Sequence, residues 1–114
     1  MTGVLDRARA HFSRLSDQRL EVPEWGDESG PLVVTFSPLT LRQRERLASS
    51  AKGSDAAATV LVVIRHAKDA EGRPLFEENA ATRKALENEA DPGVVARIAA
   101  RILQASEEEE LGES

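Results

Sequence analysis

With 114 residues, 40% of them hydrophobic and 31% charged, the chain has the length of one domain and apolar material for one modest core. It contains no cysteine, which excludes a disulfide framework and a thiolate metal site and fits a reducing compartment, with the cytosol as the default. The net charge of −5 argues against general affinity for nucleic acid; no apolar run approaches a membrane span, and Asp6, Arg7 and Arg9 interrupt any signal peptide at the N-terminus. Three Phe, one Trp and no Tyr leave the core to Leu, Val, Ile and Ala, which favours layers of helix.

Thr2 to Leu15 spaces Val4, Leu5, Ala8, Phe12 and Leu15 three and four apart, the pattern of an amphipathic helix with Arg7, Arg9 and Arg14 facing away. Residues 1–16 therefore form an amphipathic arm, whose apolar face either covers the core or docks on a partner or a second copy. Leu20 to Trp25 and Leu32 to Phe36 read as two short strands joined through the loop Gly26-Asp27-Glu28-Ser29-Gly30, making a β-hairpin. Pro23 lacks an N–H and so assigns the first strand to an edge. Two strands are marginal alone, so the hairpin either lies on the helices, with Trp25 as its anchor, or is extended by a partner's strand.

Thr40 followed by Gln43 is a capping-box pattern opening the next helix, which Gly53 closes. Leu41, Leu47, Ala48 and Ala51 give it a weak apolar stripe, and Arg42, Arg44 and Arg46, two residues apart, fan around it instead of forming one basic face. Ser54 to Lys68 is the most apolar stretch of the chain. Its centre, Val60 to Ile64, would also suit a strand, but its length, an N-cap at Ser54 or Asp55 and the basic last turn at Arg65, His66 and Lys68 favour a central buried helix.

Asp69 to Pro74 reads as a turn; Asp69 and Glu71 fall short of a calcium loop, which needs further ligands and a bidentate Glu. Leu75 and Phe76 return to the core, and Glu77 to Glu89 forms a surface helix. Asp91 before Pro92 is an N-cap with Pro at the first helical position. Val94, Val95, Ile98, Ala99, Ile102 and Leu103 then make the cleanest amphipathic face, expected to pack on the central helix with Arg97 and Arg101 pointing out. Glu107 to Glu110 lie at the unfavourable end of the helix dipole, so 107–114 reads as a solvated acidic tail.

The architecture expected is α+β, mainly α: a small helical protein of four to five helices with one N-terminal β-hairpin, its main domain at 17–106. His11 and His66 stand in different elements, and the chain lacks a glycine-rich phosphate loop and a Gly-x-Ser-x-Gly turn. No catalytic, metal or cofactor site is expected, and the protein reads as non-enzymatic. The arm and the hairpin edge have the least certain internal partners, so Leu5, Phe12, Leu15, Val22 and Trp25 are the candidate partner-binding residues.

Three segments carry a family likeness in their order and spacing: EVPEWG at Glu21 to Gly26, the Leu-Thr and Arg-rich helix at Leu39 to Leu47, and DAEGRPLFEE at Asp69 to Glu78. Completed by the last helix, this pattern from Glu21 to Ser106 resembles the small tail assembly chaperones of long-tailed bacteriophages and related gene transfer agents. The resemblance implies a protein of the host bacterial cytoplasm that binds the tape-measure protein, keeps it soluble, helps recruit the tail-tube protein and is absent from the mature virion. It also implies a longer form made by ribosomal frameshifting near the acidic tail, and association with that form or with itself, without nucleic acid, membrane or cofactor. Two features depart from the family pattern, a longer GDESG loop and the added arm at Thr2 to Leu15. The rival readings are a permanent structural or adaptor component of a phage-like particle and a nucleic-acid-binding regulator using Arg42, Arg44 and Arg46.

Overall fold

The computed structural model describes residues 3–105. Among them, α1 (Val4–Arg14), β1 (Gln18–Asp27), β2 (Gly30–Phe36), α2 (Leu41–Ala51), α3 (Asp55–His66), α4 (Ala80–Asn88) and α5 (Pro92–Leu103) follow in order. The fold is α+β and mainly α, five helices with one antiparallel hairpin among the described residues. The expected tail at 107–114 lies outside them.

α3 is the centre. Ser54 caps it, its Oγ accepting from the Ala57 N–H at 3.1 Å, and the five consecutive residues Val60 to Ile64 are all buried. Such a run can be helical only if neighbours cover it on several sides, and α2, α4 and α5 all pack against it. α5 makes the main contact, burying Val94, Val95, Ile98, Ala99 and Ile102. Its N-cap is Asp91, whose Oδ1 accepts from the Gly93 N–H at 2.8 Å, with Pro92 in the first turn.

The helix expected to reach Lys68 stops at His66 because the sheet takes the next backbone groups. Ala67 turns extended, and Lys68 exchanges two hydrogen bonds with Thr35, at 2.8 and 3.0 Å. This short pairing covers the outer edge of β2, while β1 is left as the open edge that Pro23 called for.

The hairpin lies on the helices, but its tip differs from the expected five-residue loop. β1 and β2 pair regularly from Gln18↔Phe36 to Val22↔Leu32, then slip so that Asp27 faces Gly30, leaving a two-residue turn at Glu28 and Ser29. The slip is a bulge holding Pro23, Glu24, Trp25 and Gly26. Proline has no ladder hydrogen to lose there, and Gly26 passes so close to the facing strand that a Cβ would stand 2.4 Å from the Gly30 carbonyl oxygen. The extra residues that looked like a long loop are therefore absorbed into the strand.

The capping box of α2 forms in full: the Thr40 Oγ1 accepts from the Gln43 N–H at 3.1 Å and the Gln43 Oε1 from the Thr40 N–H at 2.9 Å. Lys52, in the left-handed conformation at φ 51°, ends that helix just before Gly53. α4 begins later than the expected Glu77, because Asn79 caps it through the Thr82 N–H at 2.8 Å. Glu78 instead precedes the helix and holds Arg65 of α3 through two hydrogen bonds, at 3.0 and 2.9 Å.

Candidate interaction surface

α1 folds as an amphipathic helix and buries none of its residues. The reading in which its face covers the core is thereby corrected: Val4 is 72% exposed, Leu5 64% and Phe12 40%. An isolated helix of 11 residues is marginal in water, and Gly3 gives this one no side-chain cap.

The arm is held at its root. Leu15, just after α1, is 6% exposed, and Asp17 takes the left-handed conformation at φ 59° before β1 begins. Gln18 then clasps the junction: its Nε2 donates to the Leu15 carbonyl at 2.7 Å and to the Ala105 carbonyl at 3.3 Å, beyond the end of α5. α1 thus leaves the body beside the place where α5 finishes.

Next to that root, Phe12, Pro38, Leu39, Thr40, Leu41 and Arg44 line an open groove of about 370 Å³. Leu41 is 86% exposed, although it belongs to the stripe expected to face inward. The capping box fixes where α2 starts, and Leu47 and Ala51, which do bury, lie roughly a quarter to a third of a turn away from it around the helix. Arg44 borders the groove and reaches across to α5, its Nη2 donating to the Leu103 carbonyl at 2.7 Å. Arg42 pairs with Glu45 at 3.7 Å while Arg44 reaches α5, so these two arginines of α2 point in different directions.

The candidate residues from the sequence divide accordingly. Leu5 and Phe12 present surface. Val22 is completely buried and Leu15 nearly so, which corrects their assignment to a binding face: Val22 joins the core from the inward side of β1, and Leu15 is the covered root of the arm. Trp25 is half-buried and meets Phe76 edge-on, ring centroids 6.3 Å apart and planes at 83°, so it anchors the bulge to the segment before α4. Leu41 was not among the candidates; Pro38 and Leu39 beside it line the groove but are themselves buried. The position of Leu41 out of phase with Leu47 and Ala51 was the signal available for it.

Arg101 also departs from expectation. It is partly covered, lying over the Phe36 ring at 5.7 Å and donating to the Arg19 carbonyl at 3.5 Å. Arg97 stays at the surface but is engaged by Glu24 of the bulge.

A second, polar cleft is lined by Asp17, Gln43, His66 and Lys68 among others. Burial pushes the His66 pKa below its usual value, Arg65 and Lys68 add to this, and Glu78 partly opposes it. Nearby, the Asp69 carboxylate is held below its ordinary range mainly by the Arg73 N–H, against some desolvation, with the Glu71 N–H and the Arg73 charge assisting. Both N–H bonds measure 2.9 Å and close the Asp69 to Arg73 turn, in which Gly72 takes φ 85°. Among the described residues, no three His, Cys, Asp or Glu side chains are grouped to hold a metal ion, and no helix is long and apolar enough to cross a membrane.

No family model, no curated protein and no solved structure matches the chain.

Proposed function

We propose that this protein is a non-enzymatic tail assembly chaperone, which binds a tape-measure protein in the host bacterial cytoplasm and keeps it soluble while tail-tube subunits gather around it. The sequence segments EVPEWG and DAEGRPLFEE carry the family likeness. The observation that supports a binding role most directly is an amphipathic helix, α1, none of whose apolar side chains is buried.

On this reading Val4, Leu5 and Phe12, continued by the groove at Leu41, cover apolar stripes of a long helical client. Mechanistically this is mass action: each contact is weak, many copies bind along one client, and the concentration of free aggregating chain falls without nucleotide hydrolysis. Displacement by tail-tube subunits would release the protein before the particle matures.

The test is affinity purification of the tagged chain from cells expressing its native gene neighbourhood, with mass spectrometry of what accompanies it. A long, alanine- and glycine-rich helical partner is expected, and a chain lacking 1–16 should capture less of it. A tape-measure protein that is present and soluble but never co-purifies defeats the reading. Stoichiometric amounts of the protein in mature particles would favour the structural or adaptor role, and salt-dependent DNA or RNA binding would favour the regulator.

A further inference from the structure

We infer that the outer edge of β2 takes up a short extended segment of a partner protein, which pairs with the backbone of Val33 and sets a lysine or arginine side chain against Asp27.

Strand parity is the first reason. Thr35 gives its N–H to the Lys68 carbonyl at 2.8 Å and accepts from the Lys68 N–H at 3.0 Å. Its backbone groups therefore point away from β1, and in an antiparallel ladder so do those of Val33, two residues earlier and opposite Glu21. The facing strand agrees: the carbonyl of Arg19, opposite Thr35, also points out of the ladder, to Arg101 at 3.5 Å. Lys68 covers Thr35 alone. Beyond it the chain folds away into the Asp69 to Arg73 turn, and the Val33 N–H and carbonyl have no hydrogen-bond partner among the described residues. Open groups in line with a paired residue are a template for one more piece of strand. Pro31, the next outward position, has a carbonyl but no N–H, so the added segment is short.

Charge is the second reason. The Val33 edge borders a cleft of about 210 Å³, lined also by Trp25, Asp27, Asp69 and Ala70. Two carboxylates line this cleft and no basic residue does. Asp69 is already engaged, its Oδ1 closing the turn and its Oδ2 lying 3.5 Å from the Arg73 Nε. Asp27 is not: its Oδ1 accepts from the Ser29 N–H at 2.8 Å, and its Oδ2 has no partner among the described residues. A lysine or arginine on the added strand supplies that partner, and Trp25 gives its methylene stem an apolar surface.

A second copy of this chain fits poorly. Its open edge, β1, carries Glu21, Glu24 and Asp27 against Arg19 alone, so the contact would set carboxylates on carboxylates. The cleft shares no lining residue with the groove at Phe12 and Leu41, and the inference does not rest on the proposed function.

The test is NMR of the full, isotope-labelled chain titrated with the capped peptide Thr-Val-Lys-Val-Thr and its arginine and glutamate counterparts. Concentrations reach about 5 mM, where so small a contact registers. In the free protein the Val33 amide should exchange with solvent far faster than that of Val34, whose N–H belongs to the β1–β2 ladder. The lysine and arginine peptides should slow that exchange and shift the signals of Val33, Asp27 and Trp25, and the glutamate peptide should not. Asp27→Asn, which keeps an oxygen for Ser29, should weaken binding about two- to fivefold, the range of an exposed ion pair. N-methylation of alternate peptide residues should abolish binding in one phase and spare it in the other, since only one phase faces β2. Val33 protected as well as Val34 in the free chain, no response to the basic peptides, or an equal response to the glutamate peptide overturns the inference. So does binding indifferent to Asp27→Asn or to the phase of methylation. A Val33 shift that grows with protein concentration and needs no peptide also overturns it, in favour of pairing between copies.

Discussion

Arg97 on α5 grips Glu24 in the bulge of β1 through two parallel hydrogen bonds, Nη1 to Oε2 at 2.9 Å and Nη2 to Oε1 at 2.7 Å. The pair ties the irregular end of the hairpin to the helix that forms half of the central packing, across 73 positions of sequence.

The Arg97 hydrogen bond is the main reason the Glu24 pKa falls from 4.5 to about 2. A carboxylate depressed in the folded state contributes stability above its unfolded pKa and loses it as the pH falls through the folded value, here from 4.5 to about 2. Glu24→Gln should lower the thermal midpoint at neutral pH and flatten its decline through that acid window. The effect is modest because both side chains are half-exposed, and thermal melts followed by circular dichroism across the pH range measure it.

His66 gives a second pH dependence in a higher window. Its folded pKa is depressed by burial, so below 6.5 the unfolded chain takes up a proton that the folded chain resists. The contribution is complete above 6.5 and is lost as the pH falls toward the folded value. His66→Gln should remove this part of the slope in denaturant midpoint against pH, and an unchanged slope would place the titration elsewhere.

Gly26→Ala tests the bulge. The added Cβ would meet the Gly30 carbonyl oxygen at 2.4 Å and the Pro31 Cα at 2.8 Å, both backbone atoms that cannot rotate away. A loss of about 1–3 kcal/mol is expected from denaturant unfolding, the usual range for overpacking. Changes in amide shifts should concentrate on the hairpin tip.

Core and surface leucine-like residues should separate cleanly. Ile102, with no exposed surface at the α3–α5 contact, should cost about 2–5 kcal/mol as Ile102→Ala. Leu5→Ala and Leu41→Ala should stay within about 0.5 kcal/mol. If the groove and arm bind a client, those two variants instead reduce its capture while the melting curve stays in place.

Much of the helical framework was legible because its signals are local. The Thr40–Gln43 capping box, the Ser54 cap, Asp91 before Pro92 and the inward face of α5 each depend on residues within one or two turns, and each forms as read. The candidate surface was only half legible. Periodicity identified the apolar face of α1, but it describes a face without saying what covers it, so Phe12 and Leu15 looked alike although one is exposed and the other buried.

The sequence by itself determined where α2, α3 and α5 start, which stripe of α1 and of α5 is apolar, and that Pro23 belongs on an edge strand, since these follow from backbone hydrogen bonding and side-chain direction over a few residues. Only the tertiary structure decided that α3 stops short of Lys68 so that Lys68 pairs with Thr35, that Pro23 to Gly26 form a bulge, that Trp25 finds Phe76, and that Phe12 comes to lie beside Leu41. Each of these depends on which distant segment arrives alongside, a choice made by burying α3 on several sides at once, and no local pattern encodes it.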